Sequence, residues 1–521
     1  MVKNSTPVIG KFVLENLTTG MYKDSYCVYR EYIQNSADAI DKAVSSKQLV
    51  EKDANIFIEV LKESRKITFH DNGTGISREK VADVLLNIAQ SEKVIGKDKG
   101  FRGIGRLGGL GYCDKLVFET SFAGEETKSI ITWDSKLLTE IIQDRDKKES
   151  AADVIDAVTT LDLSQYEESG MHYFNVIMYG VRKDELLEVA DVEEYLKMVA
   201  PLPFDNGFIF RTKIKEDAAA NGILFDEYNI FLNNDKLYKG YTTMIYDMNK
   251  GKKTKIGEIK DVYFFQQNDN KGKLLFWGWR SISDIQNAYL KPVNYSRGLR
   301  LRKNNIQIGD EYIFAELFPE SRFALHIVGE VHALHPSLVP NGRRDDFEDS
   351  VLYNEFKNKL KPVCATIKKL SYDVSNIINA KRKIEDAKQA EADLELTRLK
   401  GLISDEQDEV EVKALETKKL IAEGAKKEIQ KYEKIAAANT DEPLTKVFTI
   451  LVPKDSEDKN SSSVAKIEKK VSDKPIYRVD GLSKLNKSER KIVSQVFEVV
   501  NKVLAKDLAE NLIQKIEEKF K

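Results

Sequence analysis

Glu31, Asn35 and Asp38 place two acids and an amide at helical spacing near the start of the chain. They stand four and then three residues apart, so a helix through this stretch would carry all three on one face. A carboxylate there can deprotonate a water that attacks a terminal phosphate, and an amide oxygen one turn later can coordinate Mg²⁺. Taken alone, the same stretch also fits an ordinary solvated helix face.

Asp71 ends a short predicted strand and is followed closely by Gly73 and Gly75. A carboxylate at the end of a strand can accept a hydrogen bond from an exocyclic amine such as that of adenine. The two glycines permit backbone conformations that are closed to other residues, and they let a flat ring approach the chain. The alternative for this stretch alone is an ordinary turn.

A third stretch is rich in glycine and can bind phosphate through its backbone N–H groups. It contains Gly100, Gly103 and Gly105 and leads into Arg106. It does not directly follow a first strand, so it fits the dinucleotide-binding fingerprint poorly, and the sequence has no Gly-Lys-Ser/Thr of a P-loop. A lone glycine cluster is more often a flexible loop. Only the three stretches in this order indicate a nucleotide site.

The composition limits the classes of protein to consider. The 521 residues suffice for roughly two to four domains, and the net charge of -2 gives no global reason to expect nucleic-acid binding. The three cysteines lie far apart and fit neither a disulfide framework nor a zinc site. The sequence shows no signal peptide and no membrane-spanning run, so we expect a cytoplasmic protein without a membrane partner.

Residues 1–190 alternate helical and strand patterns and are predicted to form one domain. Apolar Val28, Ile33 and Ile40 recur at helical spacing between 26 and 44. The alternation predicts a layered α/β sandwich within an α+β protein. The other predicted elements are a helix at 78–90 and strands at 54–60, 66–70, 115–121, 128–133 and 171–179.

Residues 195–350 are predicted to form a second, α/β domain. Clusters of Asn, Gly, Asp and Lys separate short apolar stretches there, as is typical of strands and turns. The predicted strands are 207–212, 228–232, 261–265, 274–278, 299–308 and 323–331.

The remaining sequence predicts a helical C-terminal region. Residues 352–438 are rich in Lys, Glu, Ala and Leu and predict long helices, with a coiled-coil hairpin turning near 401–404. Residues 454–475 indicate a flexible linker, and residues 476–521 a helical dimerisation segment. The apolar stripe of that segment consists of Ile492, Val496, Val499, Val500, Val503, Leu504, Leu508, Leu512, Ile516 and Phe520.

Together, the three N-terminal stretches resemble the GHKL ATPase superfamily, named for gyrase, heat-shock chaperone, histidine kinase and MutL. The resemblance spans about residues 8–180 and implies the Bergerat fold, in which ATP lies between helices and an antiparallel sheet. It implies Glu31 as the general base, Asn35 as the Mg²⁺ ligand and Asp71 as the adenine-binding residue. The further nucleotide contacts that it implies are Asp38, Gly73, Gly75, Gly100, Gly103 and Gly105.

The resemblance also implies a mobile lid at residues 91–111, with Ser91 and Lys93 near its hinge and against the nucleotide. Residues 87–93 (Asn-Ile-Ala-Gln-Ser-Glu-Lys) resemble the lid entry of the ninety-kilodalton heat-shock chaperone. Histidine kinases usually lack an equivalent of Glu31. The chain is therefore most similar to the chaperone branch.

Two positions depart from that branch. Val84 stands where the chaperone has an asparagine, and residues 170–174 stand where many members have Gly-Thr in the last nucleotide-facing strand. Thr120 is a candidate to supply the missing hydroxyl. These departures affect the contacts to the base more than those to Mg²⁺ and phosphate.

A loop in the second domain offers a completing cation. Residues 338–347 resemble the catalytic loop of the chaperone's middle domain, and Asn341 and Arg344 match its Asn-x-x-Arg pattern. A planar guanidinium suits the charge that develops on phosphoryl oxygens. Lys303 is a second candidate, by analogy with the transducer lysine of gyrase and MutL. Which of Arg343, Arg344 and Lys303 reaches the γ-phosphate stays open.

The resemblance implies a slow, Mg²⁺-dependent ATPase whose ATP cycle drives a conformational clamp. The expected partners are a macromolecular client, protein rather than DNA, and a second copy of the chain. Two alternatives stay open: a DNA-engaging clamp like MutL or the MORC proteins in genome defence or repair, and a regulatory ATPase subunit of an effector complex. The lysine-rich helices at 377–436 carry many glutamates as well, so their charge does not favour DNA.

Overall fold

The structure is a computed structural model whose described residues form two compact units. Unit 1 comprises the described residues up to Lys368, and unit 2 comprises the described residues from Lys369 onward. Unit 1 contains both predicted N-terminal domains, and the finer predicted limits at 190, 350 and 438 stay predictions. The structure describes residues 8–16, 24–89, 99, 103–249, 251–283, 290–399, 405–438, 443–452, 482, 484–504 and 506–520.

The first sheet has eight strands in the order β5-β4-β3-β6-β2-β1-β7-β8. Its pairs are antiparallel except for β1 and β7, which run parallel. Buried and accessible residues alternate along β1 and β2, so helices cover one face of the sheet. The strands are β1 (Asn55–Leu61), β2 (Lys66–Asp71), β3 (Lys115–Ser121), β4 (Thr127–Asp134), β5 (Thr159–Tyr166), β6 (Tyr173–Tyr179), β7 (Asn229–Leu232) and β8 (Asp235–Lys236).

Helix α2 is the central element on the buried face of this sheet. Its predicted span of 26–44 is confirmed, and Tyr32 packs on Phe69 of β2 with ring centres 4.9 Å apart. Burying one such ring contributes about 1.5–3 kcal/mol to the stability of the fold. The helices of this region are α1 (Phe12–Glu15), α2 (Cys27–Ser45), α3 (Val81–Leu86), α4 (Ser135–Gln143), α5 (Ala151–Val158), α6 (Val189–Val199) and α7 (Arg211–Ala220).

The second sheet has six strands in the order β13-β12-β14-β11-β10-β9, with β12 and β14 parallel. Phe276 of β11 packs edge-on against Phe356 at the start of the long helix α8, with ring centres 5.0 Å apart. The strands are β9 (Met244–Asn249), β10 (Lys252–Asn268), β11 (Leu274–Ser283), β12 (Gly298–Lys303), β13 (Ile306–Ile308) and β14 (Val328–Ala333), and α8 spans Val351–Leu399.

The predicted strand at 207–212 is wrong, because α7 begins at Arg211 and a turn precedes it. Phe208 is buried against Tyr241 and Trp279, with ring centres 5.8 Å from each. The closely spaced apolar residues that indicated a strand therefore belong to a buried aromatic turn.

Several other predicted strands differ in pairing, length or continuity. The stretch 299–308 is a hairpin of two strands, β12 and β13, and 261–265 is part of the much longer β10. The stretch 228–232 is a strand, but as β7 it pairs with β1 of the first sheet rather than within the second. The stretch 323–331 divides into a short 3₁₀ turn at Ser321–Leu325 and β14, which begins at Val328. Sheet membership depends on partners that are distant in sequence, so local patterns did not reveal it.

A buried charge cluster around Glu330 joins the inter-sheet chain, residues 237–243 between β8 and β9, to the second sheet. Lys239 donates to both carboxylate oxygens at 3.0 Å, Tyr241 donates at 2.9 Å, and Arg302 forms an ion pair with the same group. Burial alone would raise the pKa of Glu330, but Arg302 and Lys239 hold that pKa well below its usual range. Removing one partner of such a buried pair costs about 3–5 kcal/mol.

Unit 2 confirms the predicted helical C-terminal region. Arg398 pairs with Asp408, and Tyr432, much further along α9, accepts from Asn376 at 3.1 Å, so α8 and α9 run antiparallel. The predicted turn at 401–404 and linker at 454–475 lie outside the described residues. The helices are α9 (Asp405–Ala438), α10 (Pro443–Leu451), α11 (Lys487–Val503) and α12 (Lys506–Phe520). Across the described ranges, no helix is long and apolar enough to cross a membrane.

Candidate functional site

Helix α2 presents Glu31 from its buried side. Glu31 is 7% exposed, and its Oε1 lies 3.3 Å from Nε of Arg344 and 3.7 Å from Nε of Arg30. Asn35 lies one turn further along α2 and is half-buried, and Asp38 is buried. The helix thus carries the acid–amide–acid set on one face, with the first acid already paired with cations.

Asp71 is buried at the end of β2, where a tight glycine turn follows. Its Oδ1 accepts from the N–H of Gly73 at 3.0 Å. A Cβ on Gly73 would lie 2.7 Å from the backbone of Ala39 on α2, so the turn is packed against the helix. Gly75 has a φ of 65°, and a Cβ there would lie 1.8 Å from the carbonyl oxygen of Ser121. Glycine is therefore required by space at both positions.

Thr120 holds the same turn in place. Its hydroxyl accepts from the N–H of Ile76 at 2.9 Å and donates to the carbonyl of Tyr173 at 2.9 Å. The single hydroxyl proton is thus used within the protein, while one lone pair remains for other contacts. A direct contact between Thr120 and a nucleotide stays a prediction.

The described part of the glycine-rich stretch packs on α2. Gly103 has a φ of 68°, and the N–H of Gly109 donates to the hydroxyl of Tyr32 at 3.0 Å. A Cβ on Gly105 would lie 2.3 Å from Oε2 of Glu31, so this glycine sits directly against the candidate base. The predicted lid is described at residues 99 and 103–111 only. Three of the predicted contacts lie outside the described residues: Ser91, Lys93 and Gly100.

Arg344 is the candidate cation that reaches Glu31. It is 6% exposed, and its φ of 57° places it in the left-handed region, within a turn where its N–H donates to the carbonyl of Asn341 at 3.2 Å. Its neighbour Arg343 is exposed and contributes its carbonyl oxygen, which accepts from Nη2 of Arg30 at 2.9 Å. The structure thus brings Arg344 and Glu31 together although they are far apart in sequence.

Lys303 has other partners. Its ammonium donates to the carbonyl of His335 at 2.8 Å, and burial, with a smaller effect of Lys273, lowers its pKa to about 8. No contact among the described residues joins it to Glu31 or Arg344. Its predicted contact with the γ-phosphate stays a prediction that this geometry does not support.

The chemistry of the donor set fits Mg²⁺ bound to ATP. Mg²⁺ usually takes one or two protein oxygens and keeps water and phosphate oxygens, so the single amide of Asn35 can suffice. Among the described residues, no group of three or more His, Cys, Asp or Glu side chains could form an all-protein metal site. Asn35 is the residue that would hold the cation. Asp71 is the residue that would bind the adenine ring.

A family model described as histidine kinase-, DNA gyrase B-, and HSP90-like ATPase matches residues 25–165. The matched range includes α2, Asp71 and the glycine-rich stretch, which together form the candidate site. The N-terminal domain resembles the GHKL ATPases and, among them, the HSP90-like branch. Arg344 and Lys303 lie outside the matched range.

The relatives of this GHKL-like domain include bacterial chaperone proteins HtpG. The protein from Coxiella burnetii (strain RSA 331 / Henzerling II) is 33% identical, and that from Escherichia coli O1:K1 / APEC is 31% identical. The protein from Buchnera aphidicola subsp. Baizongia pistaciae is 29% identical. Each similarity covers 24% of this chain and 23% of the relative, so the chain spans about a quarter of the length of the relatives that it matches.

Sequence patterns did not reveal Lys99 or Gln34 as part of the site. The carbonyl of Lys99 accepts from Gln34 Nε2 at 2.5 Å and from Arg344 Nη2 at 2.7 Å. Gln34 precedes Asn35 on α2, and its uncharged side chain fits no catalytic or ligand-binding pattern. Lys99 contributes a backbone atom, which no residue-type pattern can indicate.

We predict that Gly105→Ala lowers ATP hydrolysis about 100-fold, because the new methyl group displaces the Glu31 carboxylate and a shift of about 1 Å can have that effect. The melting temperature should stay near that of the unchanged protein, since the methyl meets a movable side chain. Gly424→Ala is the matched control, because a Cβ there meets nothing within 4 Å and the position lies in α9, outside the candidate site. Equal hydrolysis rates for both variants would contradict the placement of Glu31.

Proposed function

We propose that this chain is an ATP-hydrolysing conformational clamp that acts on protein clients. The observation that carries the proposal is the contact of Arg344 with Glu31 at 3.3 Å, because it joins the GHKL-like domain to a loop after the second sheet. A cation from another part of the chain, held at the candidate base, gives the second sheet a means to respond to the nucleotide. Such coupling is what a clamp requires.

In this proposal Glu31 orients the attacking water and takes its proton. Bound Mg²⁺–ATP supplies the reacting phosphate and the cation that neutralises it, with Asn35 as the residue that holds the cation. Arg344 leaves its ion pair with Glu31 and binds the more highly charged terminal phosphate instead. The carboxylate of Glu31 can then accept a proton. Asp71 binds the adenine amine. Hydrolysis is slow, because Glu31 must first separate from a buried partner.

The client class follows from the relatives and is part of the proposal. The similar HtpG proteins are named chaperones, and this likeness covers the GHKL-like domain alone. ATP binding and hydrolysis would shift the chain between conformations of different affinity for an unfolded protein. The cytoplasm is the proposed compartment.

A second copy of the chain is the proposed partner of the C-terminal helices. Phe497 is buried in a small core with Leu482, and Val493 and Ile513 pack against it. A row of large apolar side chains nevertheless stays exposed, and a contiguous exposed apolar surface commonly marks a protein–protein contact. The exposed members are Ile492, Val496, Val499, Val503, Leu504, Leu508, Leu512 and Phe520.

We predict that Glu31→Ala keeps ATP affinity but slows hydrolysis about 100-fold or more, because the reaction loses its general base. Asp71→Asn should weaken ATP binding at least tenfold, roughly the loss of one charged hydrogen bond, while Asn can still accept from Gly73. Phosphate release and calorimetric titration measure the two effects. Unchanged turnover in the first variant would remove the base assignment, and normal affinity in the second would remove the adenine contact.

We predict that a chemically denatured protein changes the ATPase rate severalfold, whereas duplex and single-stranded DNA do not. The rate should be measured at low salt, where phosphate contacts to DNA are strongest. Glu31→Ala serves as the background control for contaminating ATPases. Stimulation by DNA that weakens with salt would instead support a DNA-engaging clamp, and response only to a co-purifying protein would support a regulatory subunit.

We predict that Val499→Asp combined with Leu508→Glu converts a dimer into a monomer, because charges on the exposed row cannot be buried in an interface. Light scattering after size-exclusion chromatography measures the mass. Glu510→Gln, on the same helix as Leu508, is the matched control and should stay dimeric. A wild-type monomer, or a dimer that survives both charges, would refute this interface.

A further inference from the structure

Lys99 is a buried lysine whose ammonium group joins α2 to the segment before β7. The group pairs with Asp41 of α2 and with Asp226 Oδ2 at 3.3 Å, and the side chain is 5% exposed. It lies 5.2 Å from the ring centre of Tyr228, whose hydroxyl donates to Asp41 at 2.6 Å. Burial works to lower the pKa of Lys99, but Asp226 and Asp41 raise that pKa above its usual value. The ammonium is therefore charged at neutral pH.

The backbone of Lys99 contacts the catalytic face of the same helix. Its N–H donates to Oδ1 of Asp38 at 2.8 Å. Its carbonyl accepts from Gln34 at 2.5 Å and from Nη2 of Arg344 at 2.7 Å, which uses both lone pairs of the oxygen. Arg344 is thus held at two points, by the carboxylate of Glu31 and by the carbonyl of Lys99.

Asp226 extends the contact of Lys99 to the second sheet. Its carbonyl accepts from Nδ2 of Asn305 at 2.7 Å, in the turn between β12 and β13. The carbonyl of Asn305 in turn accepts from Nη1 of Arg302 at 3.0 Å, and Arg302 pairs with Glu330. A continuous series of hydrogen bonds and ion pairs therefore leads from Lys99 to the buried charge cluster.

We propose that Lys99 is a positioning residue of the ATPase site. The ion pairs of its ammonium with Asp41 and Asp226 fix the position of its own backbone carbonyl. That carbonyl in turn holds Arg344 beside Glu31. The side chain acts at a distance from the reacting atoms, through its own backbone. Without these ion pairs the carbonyl can move, and the side chain of Arg344 loses its hydrogen bond to that carbonyl. The expected effect on kcat rests on the proposed function, in which Glu31 promotes hydrolysis. The positioning of Arg344 by the Lys99 carbonyl does not depend on that proposal.

Lys99→Met removes the charge and keeps the length of the side chain, whereas Lys99→Arg restores the charge. We expect Lys99→Met to lower kcat about tenfold with KM for ATP and the melting temperature near those of the unchanged protein, and Lys99→Arg to recover most of the rate. Asp226→Asn should lower kcat less, and adding it to Lys99→Met should have little further effect, since both changes remove one interaction. Lys215→Met is the control, because Lys215 is exposed and pairs with Glu227 at 2.7 Å.

Hydrogen exchange of the 340–347 amides tests the hold on Arg344 without hydrolysis. Exchange in this loop should be several times faster in Lys99→Met than in the unchanged protein and in Lys215→Met. Unchanged exchange, unchanged kcat in an active enzyme, or failure of arginine to restore the lost property would overturn the proposal. An unchanged protein that does not hydrolyse ATP, or a Glu31→Ala variant that does, would refute the proposed function instead. The exchange result would then decide the role of Lys99 alone.

Discussion

The contact between Glu31 and Arg344 is the constraint on which the candidate site depends. Both side chains are almost fully buried, so neither charge can be satisfied by water, and each must be supplied with its partner by the fold. A buried ion pair adds little net stability once the cost of desolvation is subtracted. The surrounding packing must therefore hold α2 and the turn from Asn341 to Arg344 in register, and the pair gains its geometry from that packing.

The packing that holds these two elements comes from different sources. Helix α2 is fixed by apolar contacts with the first sheet, such as that of Tyr32 on Phe69. The loop of Arg344 follows the second sheet, which is tied to the inter-sheet chain by the donors that converge on Glu330. Because these donors come from the inter-sheet chain and from β12, they restrict orientation more strongly than an apolar contact of equal size, which permits sliding.

The sequence predicted the parts of the site that local spacing determines. The helical period of Val28, Ile33 and Ile40 correctly located α2, and the spacing of Glu31, Asn35 and Asp38 placed them on one face of it. Gly73 and Gly75 were expected beside a ring, and the structure shows a second requirement, since α2 and Ser121 leave no room for a side chain. The pairing of β7 with β1 and the role of the Lys99 backbone depend on contacts between distant residues. The strand predicted at 207–212 failed because an apolar turn and an apolar strand share the same residue types.

Helix α2 is connected to the second sheet at more than one position, and this restricts how the two can rotate relative to each other. One contact, such as Glu31 with Arg344, would allow the two parts to pivot about it. A second route runs from α2 through Lys99 and Asp226 to Asn305, at a different position on the helix. Contacts at separated positions resist rotation as well as separation. In the proposed cycle, a terminal phosphate that draws Arg344 away would therefore also strain the second route. In the proposed clamp, the response of the second sheet to nucleotide would depend on whether both routes are broken together. Loss of one route alone would leave rotation about the other, and loss of neither would leave the sheets fixed.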